Sequence, residues 1–315
     1  MRRKPQVVVI GSLNVDLVQK VDRLPRAGET IVGDALEIFS GGKGANQAYA
    51  AGRMGARVSM IGQVGNDDLA SSSLENLRAA GVNIESVGVS DRSTGTAVIF
   101  VLPDGENVII ISPGANATMT PELAEERLKV LDKGAFLLLQ LEIPIESVEE
   151  SLVAAKTRGV TTILDPAPAV HKFTSESLHR VDFLTPNETE AMTLLGGSDF
   201  CIDDDAEVEL IARRLLALGP RVVVLKLGSR GCLIAAEGGC HRVPGFKVKA
   251  IDTTAAGDVF NGAFTTALAE GQTISRAANF ANAAAALSVT RFGAQNSVPS
   301  RQEVDRFLIG DADRV

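Results

Sequence analysis

Short apolar runs rich in Val, Ile and Leu alternate along most of the chain with longer stretches in which apolar positions recur every three to four residues. The runs at 7–10, 58–61, 136–141, 161–164, 181–184 and 222–227 are continuous rather than alternating, which marks strands buried on both faces. Between them, helical periodicity occupies 45–54, 70–80, 121–131, 147–157, 189–195 and 206–218. Strand and helix in turn predict an α/β fold: a mainly parallel, doubly wound (Rossmann-like) sheet with helices on both faces. Towards the C-terminus the pattern becomes helical, at 258–270, 275–291 and 301–308, and the alanines at 283–286 suit close packing of a helix on the sheet.

Two segments depart from the alternation. Residues 16–40 hold Leu17-Val18, Thr30-Ile31-Val32 and Leu36-Glu37-Ile38-Phe39, divided by Pro25-Arg26-Ala27-Gly28. Residues 96–111 alternate around Pro103-Asp104-Gly105-Glu106, a β-turn string. They predict antiparallel ribbons outside the main sheet, forming a small β-lid over about 16–40 and 94–112 on a single domain spanning 1–315. One face of such a lid has no helical cover. It must close over a ligand, pair with a second subunit, or both.

In an open α/β sheet, ligands bind beyond the carboxyl ends of the strands. Polar residues gather there: Asn14 and Asp16 after the first run, Glu142, Asp165, Asn187 and Gly228 after later ones, and Asp258 after a β-like stretch at 247–251. Asp and Asn are also turn formers, so the recurrence carries more weight than any single position. Composition narrows the partners. A net charge of −8 disfavours nucleic acid and anionic membranes, and 4% aromatic content without Trp leaves little to stack unpaired bases. An anionic substrate would then be held by amides, a few cations and metal ions. Cys201, Cys232 and Cys240 form no CxxC pair, and His171, His179 and His241 are widely spaced, so no zinc site is indicated and a reducing cytoplasm is expected. The basic Met1-Arg2-Arg3-Lys4 start precedes only a short apolar run, and neither a signal peptide nor a membrane span is read.

Three motifs carry candidate chemistry. In Asp252-Thr253-Thr254-Ala255-Ala256-Gly257-Asp258, small residues open a helix so that its free N–H groups can approach an anion, and Asp258 stands at the same mouth. A carboxylate repels phosphate but suits taking a proton from a hydroxyl that attacks phosphorus. Aspartate in a first helical turn also simply complements the dipole. In Gly41-Gly42-Lys43-Gly44-Ala45-Asn46-Gln47-Ala48, the glycines permit close backbone approach while Lys43 and Asn46 offer donors to sugar hydroxyls; a glycine-rich helix cap accounts for the same residues. This segment is not a P-loop, and no GxGxxG opens a helix after a strand, so a dinucleotide fold has no support. Asn187-Glu188-Thr189-Glu190 reads both as a capping box and as an amide for phosphate beside a carboxylate for hydrated Mg²⁺.

Taken together, these motifs resemble the ribokinase/phosphofructokinase-B family of carbohydrate kinases. The 41–48 segment is similar to its N-terminal signature, 252–258 to its C-terminal signature and 187–190 to its N-x-x-E motif, in the same order from about 7 to 307. Asn14-Val15-Asp16, Glu142 and Leu227-Gly228-Ser229-Arg230-Gly231 bring the resemblance nearest to the ribose-phosphorylating branch. The resemblance implies ATP-dependent phosphorylation of D-ribose at its 5-hydroxyl. By position, Asn14, Asp16, Gly42, Lys43, Asn46 and Glu142 would hold the sugar and Asp258 would be the base. The amides of Ala255, Ala256 and Gly257 would form an anion hole. Asn187, Gly228 and Asn282 would contact the nucleotide, with Mg²⁺ near Glu190, and Lys226 replaces a smaller hydroxyl residue at another nucleotide position. A K⁺ site is implied at Asp252, Thr254, Ser288, Arg291, Gly293 and Ser297, and a homodimer through the lid.

Two other readings remain from the sequence. One is a deoxyribokinase or other sugar or nucleoside kinase of the same family; Asp16 and the Gly42-Lys43 turn favour a hydroxyl-rich substrate over a base. The other is a non-catalytic sugar-sensing protein on a kinase fold, against which the intact Asp258 and small-residue helix mouth both argue.

Overall fold

The computed structural model describes residues 6–103, 106–169, 173–197 and 204–312. Asp104 and Gly105 of the expected lid turn, together with His171 and Cys201, lie outside the described residues. The strands are β1 (Gln6–Ile10), β2 (Asn14–Lys20), β3 (Glu37–Gly41), β4 (Arg57–Gly65), β5 (Val87–Ser90), β6 (Gly95–Val101) and β7 (Asn107–Ser112). They continue with β8 (Phe136–Leu139), β9 (Thr161–Leu164), β10 (Phe183–Leu184), β11 (Val222–Lys226), β12 (Cys232–Ala236) and β13 (Gly239–Val243). The helices are α1 (Lys43–Arg53), α2 (Asp68–Ala79), α3 (Pro121–Arg127), α4 (Ile145–Thr157) and α5 (Ser175–Leu178). After these come α6 (Glu188–Leu194), α7 (Asp205–Ala217), α8 (Ala256–Ala269), α9 (Ile274–Ser288) and α10 (Arg301–Ala312).

The larger sheet runs β13-β12-β11-β10-β9-β8-β1-β4-β5. Every pairing from β11 to β5 is parallel, and only β12 runs against the others, pairing antiparallel with both β11 and β13. Alternate residues of each central strand supply opposite cores, which is why the runs are apolar throughout. Val8, Ile10, Leu137, Leu139, Leu164 and Val223 pack beneath α3, α4, α6 and α7. On the other face Val7, Val9, Leu138 and Ile163 meet α1 and α2, while Val222 and Val224 meet α8 and α9. From β1 the chain moves to β4 and β5 on one side, then returns through β8 to the other, so the strand order reverses at β1. A crevice opens beyond the carboxyl ends at such a reversal.

The lid is a separate sheet in the order β3-β2-β6-β7. Its outer pairings β2–β3 and β6–β7 are antiparallel, as expected, whereas the central pair β2–β6 is parallel, β2 following β1 and β6 following β5 from the carboxyl ends of parallel strands. Side-by-side partners share a face. Asp16 therefore points to the same side as Phe39, Ala97 and Ile111, and Leu17 to the opposite side with Ile38, Val98 and Ile110. Two expectations are corrected. Thr30-Ile31-Val32 lies in irregular chain between β2 and β3, where Val32 is 95% exposed and so has no layer to pack on. The 247–251 stretch is also irregular, tied at Ile251 N–H to Val289 O (2.7 Å) rather than to a strand.

Candidate active site

Two glycines set the approach of α1 to the turn after β1. Gly42 caps α1 at φ 87°, and a Cβ there would stand 2.7 Å from Asn14 N. A Cβ on Gly44 would stand 2.7 Å from Gly11 C and Ser12 N. Only glycine lets the backbones come this close. The consequence is a shared carboxylate: Glu142 Oε2 accepts from Ser12 Oγ (2.5 Å) and from Lys43 N–H (3.0 Å). Asn14 Oδ1 accepts from Asn116 Nδ2 (2.7 Å), and Asn116 Oδ1 accepts from Leu13 N–H (2.9 Å), locking the first turn of the lid. A cavity of about 320 Å³ opens here, bounded by Asn14, Asn116, Glu142 and Ile111 of the lid.

Deeper in, α8 begins beyond the carboxyl ends of the central strands, where its Asp258 shares Gln47 with Asp165 after β9. Its N-cap, Ala255, is left-handed (φ 58°) and supplies no side-chain cap. The Ala256 N–H turns back on Thr253 O at 3.2 Å, and a Cβ on Gly257 would come within 3.4 Å of Lys226 Nζ. Asp258 is 5% exposed. Its Oδ2 accepts from Asn46 Nδ2 (3.1 Å) and its Oδ1 from Gln47 Nε2 (2.9 Å), both on α1. Asn46 is itself held by Gln295 Nε2 (3.2 Å). Burial pushes the Asp258 carboxyl up to about 6; Lys43 opposes this and Asp165 adds to it. Burial, with Glu142 and Asp258, pushes Asp16 up to about 7. Burial works against the Lys43 ammonium, yet Asp258, Asp165, Glu142 and Glu190 together hold it charged well above its ordinary range.

Asn187 and Glu190 form a reciprocal capping box on α6, with Asn187 N–H donating to Glu190 Oε2 (2.7 Å) and Glu190 N–H to Asn187 Oδ1 (2.8 Å). Burial pushes Glu190 up while the Lys226 ammonium pulls it down. Gly228 follows β11 at φ 54° and is exposed. Asn282 is not joined to the Asp258 cluster: its amide donates to Val243 O (3.3 Å) and Pro244 O (3.1 Å), fastening α9 to the loop after β13.

The residues expected around a monovalent cation form a separate neighbourhood. Asp252 Oδ1 accepts from Thr254 N–H (2.9 Å) and Oδ2 from Gly293 N–H (2.8 Å), which binds the two chain segments together. These bonds hold the Asp252 carboxyl below its usual range despite burial. Ser288 and Ser297 donate to Ala285 O and Ala294 O, and Arg291 is paired with Glu303 (2.6 Å). The neighbourhood offers carbonyl, hydroxyl and carboxylate oxygens, the donor set of a hard cation. Among the described residues no group of three or more His, Cys, Asp or Glu side chains could hold a metal ion.

The sequence motifs did not disclose Gln47, Gln140, Asn116 and Gln295 as members of the site. Gln47 lies inside the quoted glycine-rich segment, so that segment was the available signal. The other three stand in no motif, and only the fold brings them in.

A buried carboxylate held by two amides at a helix mouth without a side-chain cap, on an α/β sheet that carries a β-lid, is an arrangement suited to a kinase of small hydroxyl compounds. The chain belongs to the pfkB family of carbohydrate kinases, whose profile matches residues 4–301. It is 42% identical to the ribokinase of Bacillus subtilis across 96% of this chain and 99% of that one. The crystal structure of Thermotoga maritima ribokinase superposes with a TM-score of 0.86 at 41% identity, covering 96% of this chain and 99% of that one. Arabidopsis thaliana ribokinase, solved with ribose and ATP, superposes at 0.87 with 33% identity, covering 97% and 99%.

Proposed function

We propose that this chain is a ribokinase, transferring the γ-phosphoryl group of ATP to the 5-hydroxyl of D-ribose to give D-ribose 5-phosphate and ADP. The observation that carries the reading is Asp258, a buried carboxylate held by two amides at the open end of α8. The likeness to ribokinases along nearly the whole chain supports it. Asn14, Asp16, Gly42, Lys43, Asn46 and Glu142 hold the sugar, and Asp258 takes the proton of the attacking hydroxyl. The Ala255, Ala256 and Gly257 amides meet the charge that develops on the phosphoryl oxygens. Asn187, Lys226, Gly228 and Asn282 serve the nucleotide side.

Bound Mg²⁺ would supply charge neutralisation on the phosphates, with Glu190 as its water-mediated partner. A monovalent cation, K⁺ in this reading, would sit among Asp252, Thr254, Ser288, Arg291, Gly293 and Ser297, where the oxygen-rich donor set suits it. The chain works as one domain over 1–315 with its lid at 16–40 and 94–112; lid closure excludes water that would otherwise accept the phosphoryl group. The apolar row Leu17, Ile38, Val98 and Ile110 on one face of the lid supports a homodimer through that sheet. The compartment is the cytoplasm, where ATP is present and the free thiols of Cys232 and Cys240 stay reduced; among the described residues no helix is long and apolar enough to cross a membrane. Phosphorus NMR of the product formed from D-ribose and MgATP tests the reaction. A 5-phosphate ester is expected, and a 1-phosphate or bare ATP hydrolysis would overturn it.

A further inference from the structure

Behind Asp258 runs a chain of buried polar groups of which the proposed reaction employs only Lys226, on its nucleotide side. Lys226 Nζ, at the end of β11, donates to Asp165 Oδ1 (2.9 Å), just beyond β9. Asp165 Oδ2 accepts from Gln47 Nε2 (2.8 Å), and the same amide nitrogen donates to Asp258 Oδ1 (2.9 Å). Gln140 Nε2, beyond β8, donates to Gln47 Oε1 (2.7 Å). That last bond settles the orientation of the Gln47 amide: its oxygen is taken, so both its N–H groups face the two carboxylates. Asp165 is 1% exposed and Gln47 and Gln140 are 0% exposed, so none can call on water to replace a lost partner.

We infer that Lys226, Asp165 and Gln47 are positioning residues that aim the Asp258 carboxylate and, by pairing Asp165 with a cation, leave Asp258 free to carry the negative charge. The inference rests on Asp258 being the base of the proposed reaction. One amide bridging two carboxylates brings two like charges close together, and each then disfavours ionisation of the other. Lys226 removes that conflict by neutralising Asp165. The other charged groups facing Asp258 are Lys43 from α1 and Asp16 from β2; Glu142 faces Asp16 and Lys43 from beyond β8, and Glu190 of α6 faces Lys43 and Lys226. Asp165 also adds to the upward push on Asp258, in the direction the geometry requires. The same Lys226 ammonium stands 3.4 Å from where a Cβ on Gly257 would lie, so it is near the helix mouth as well as the carboxylate pair.

The test compares Asp165→Asn, Lys226→Met and the double variant by the pH dependence of kcat, the KM for ribose, and a ¹³C-carboxyl NMR titration of Asp258. Asp165→Asn removes a negative charge and should move the acid limb down by about one pH unit; Lys226→Met exposes that charge and should move it up by about as much. In the double variant the limb should return to within a few tenths of the parent's, with the KM for ribose within about twofold throughout. A merely structural pair would instead lower kcat or stability and leave the limb where it was. Coincident limbs and titrations in the parent and both single variants overturn the inference. Asp165→Asn, being isosteric, decides the matter alone if Lys226→Met does not fold. A parent that turns over no ribose refutes the ribokinase reading, and the NMR titration still judges the relay.

Discussion

Asp258 has lost its water but kept two amide donors, and that balance governs its proton. Because burial lifts its carboxyl from 3.8 to about 6, kcat should rise with pH through about 6 and level off above it. An acid limb near 4, measured by initial rates at saturating ribose and MgATP, would show that another group limits turnover. The sign for stability is the reverse. A folded value above the unfolded one means that the stability linked to this proton is present below about 3.8 and is lost as pH rises through about 6. Asp258→Asn should therefore lower turnover by at least ~10²-fold with the KM for ribose little changed. It should also raise Tm at pH 7.5, by a stabilisation on the order of 3 kcal/mol that fades as pH falls from about 6 to about 3.8. Unchanged turnover, or a lower Tm at neutral pH, would contradict the role. Asp258, Lys43, Asn46 and Glu142 were legible as sequence because chemistry-bearing types stood at strand ends or among glycines. Gln47 and Gln140 were not, since glutamine is also an ordinary helix or surface residue. Their meaning comes from partners 93, 118 and 211 positions away.

At the level of elements, the site depends on how closely α1 and α8 cross. Gly262 makes the contact: a Cβ there would stand 2.7 Å from both Ala50 Cβ and Gln47 O, and 2.8 Å from Ala51 N. Gly262→Val should drive the helices apart, costing about 1–3 kcal/mol and carrying Asp258 away from Asn46 and Gln47. The expected result is a lower Tm together with at least a ~10-fold loss of kcat; a variant melting lower with full kcat would show that the crossing does not position the base. Continuous Val-Ile-Leu runs revealed the central strands, since both faces are covered. β12 and β13 were missed because they form an edge hairpin in which Gly231, Gly238 and Gly239 interrupt the pattern. The parallel β2–β6 pair was not legible either: local alternation marks a strand but not its partner some eighty residues on. At 247–251 the alternation was real, yet the segment serves to bring Asp252 beside Gly293.

For the molecule as a whole, the lid has two unlike faces. One carries Asp16 towards the site; the other presents Ile38 and Ile110, 54% and 59% exposed, with Leu17 and Val98 between them. Paired over a second lid, this row would leave water. Ile38→Lys with Ile110→Lys should convert a dimer into a monomer at micromolar concentration, as read by sedimentation velocity, while a parent that is already monomeric would remove the dimer from the account. In the proposed reaction, the carboxylates and amides gathered at the reversal of strand order act on a substrate with several hydroxyls, one of them placed at Asp258. The most direct test is therefore kcat/KM from coupled ADP release with MgATP on D-ribose, 2-deoxy-D-ribose, D-fructose and adenosine. The account predicts the highest value for D-ribose. A higher value for any of the other three, or no turnover of ribose by folded protein, would contradict it.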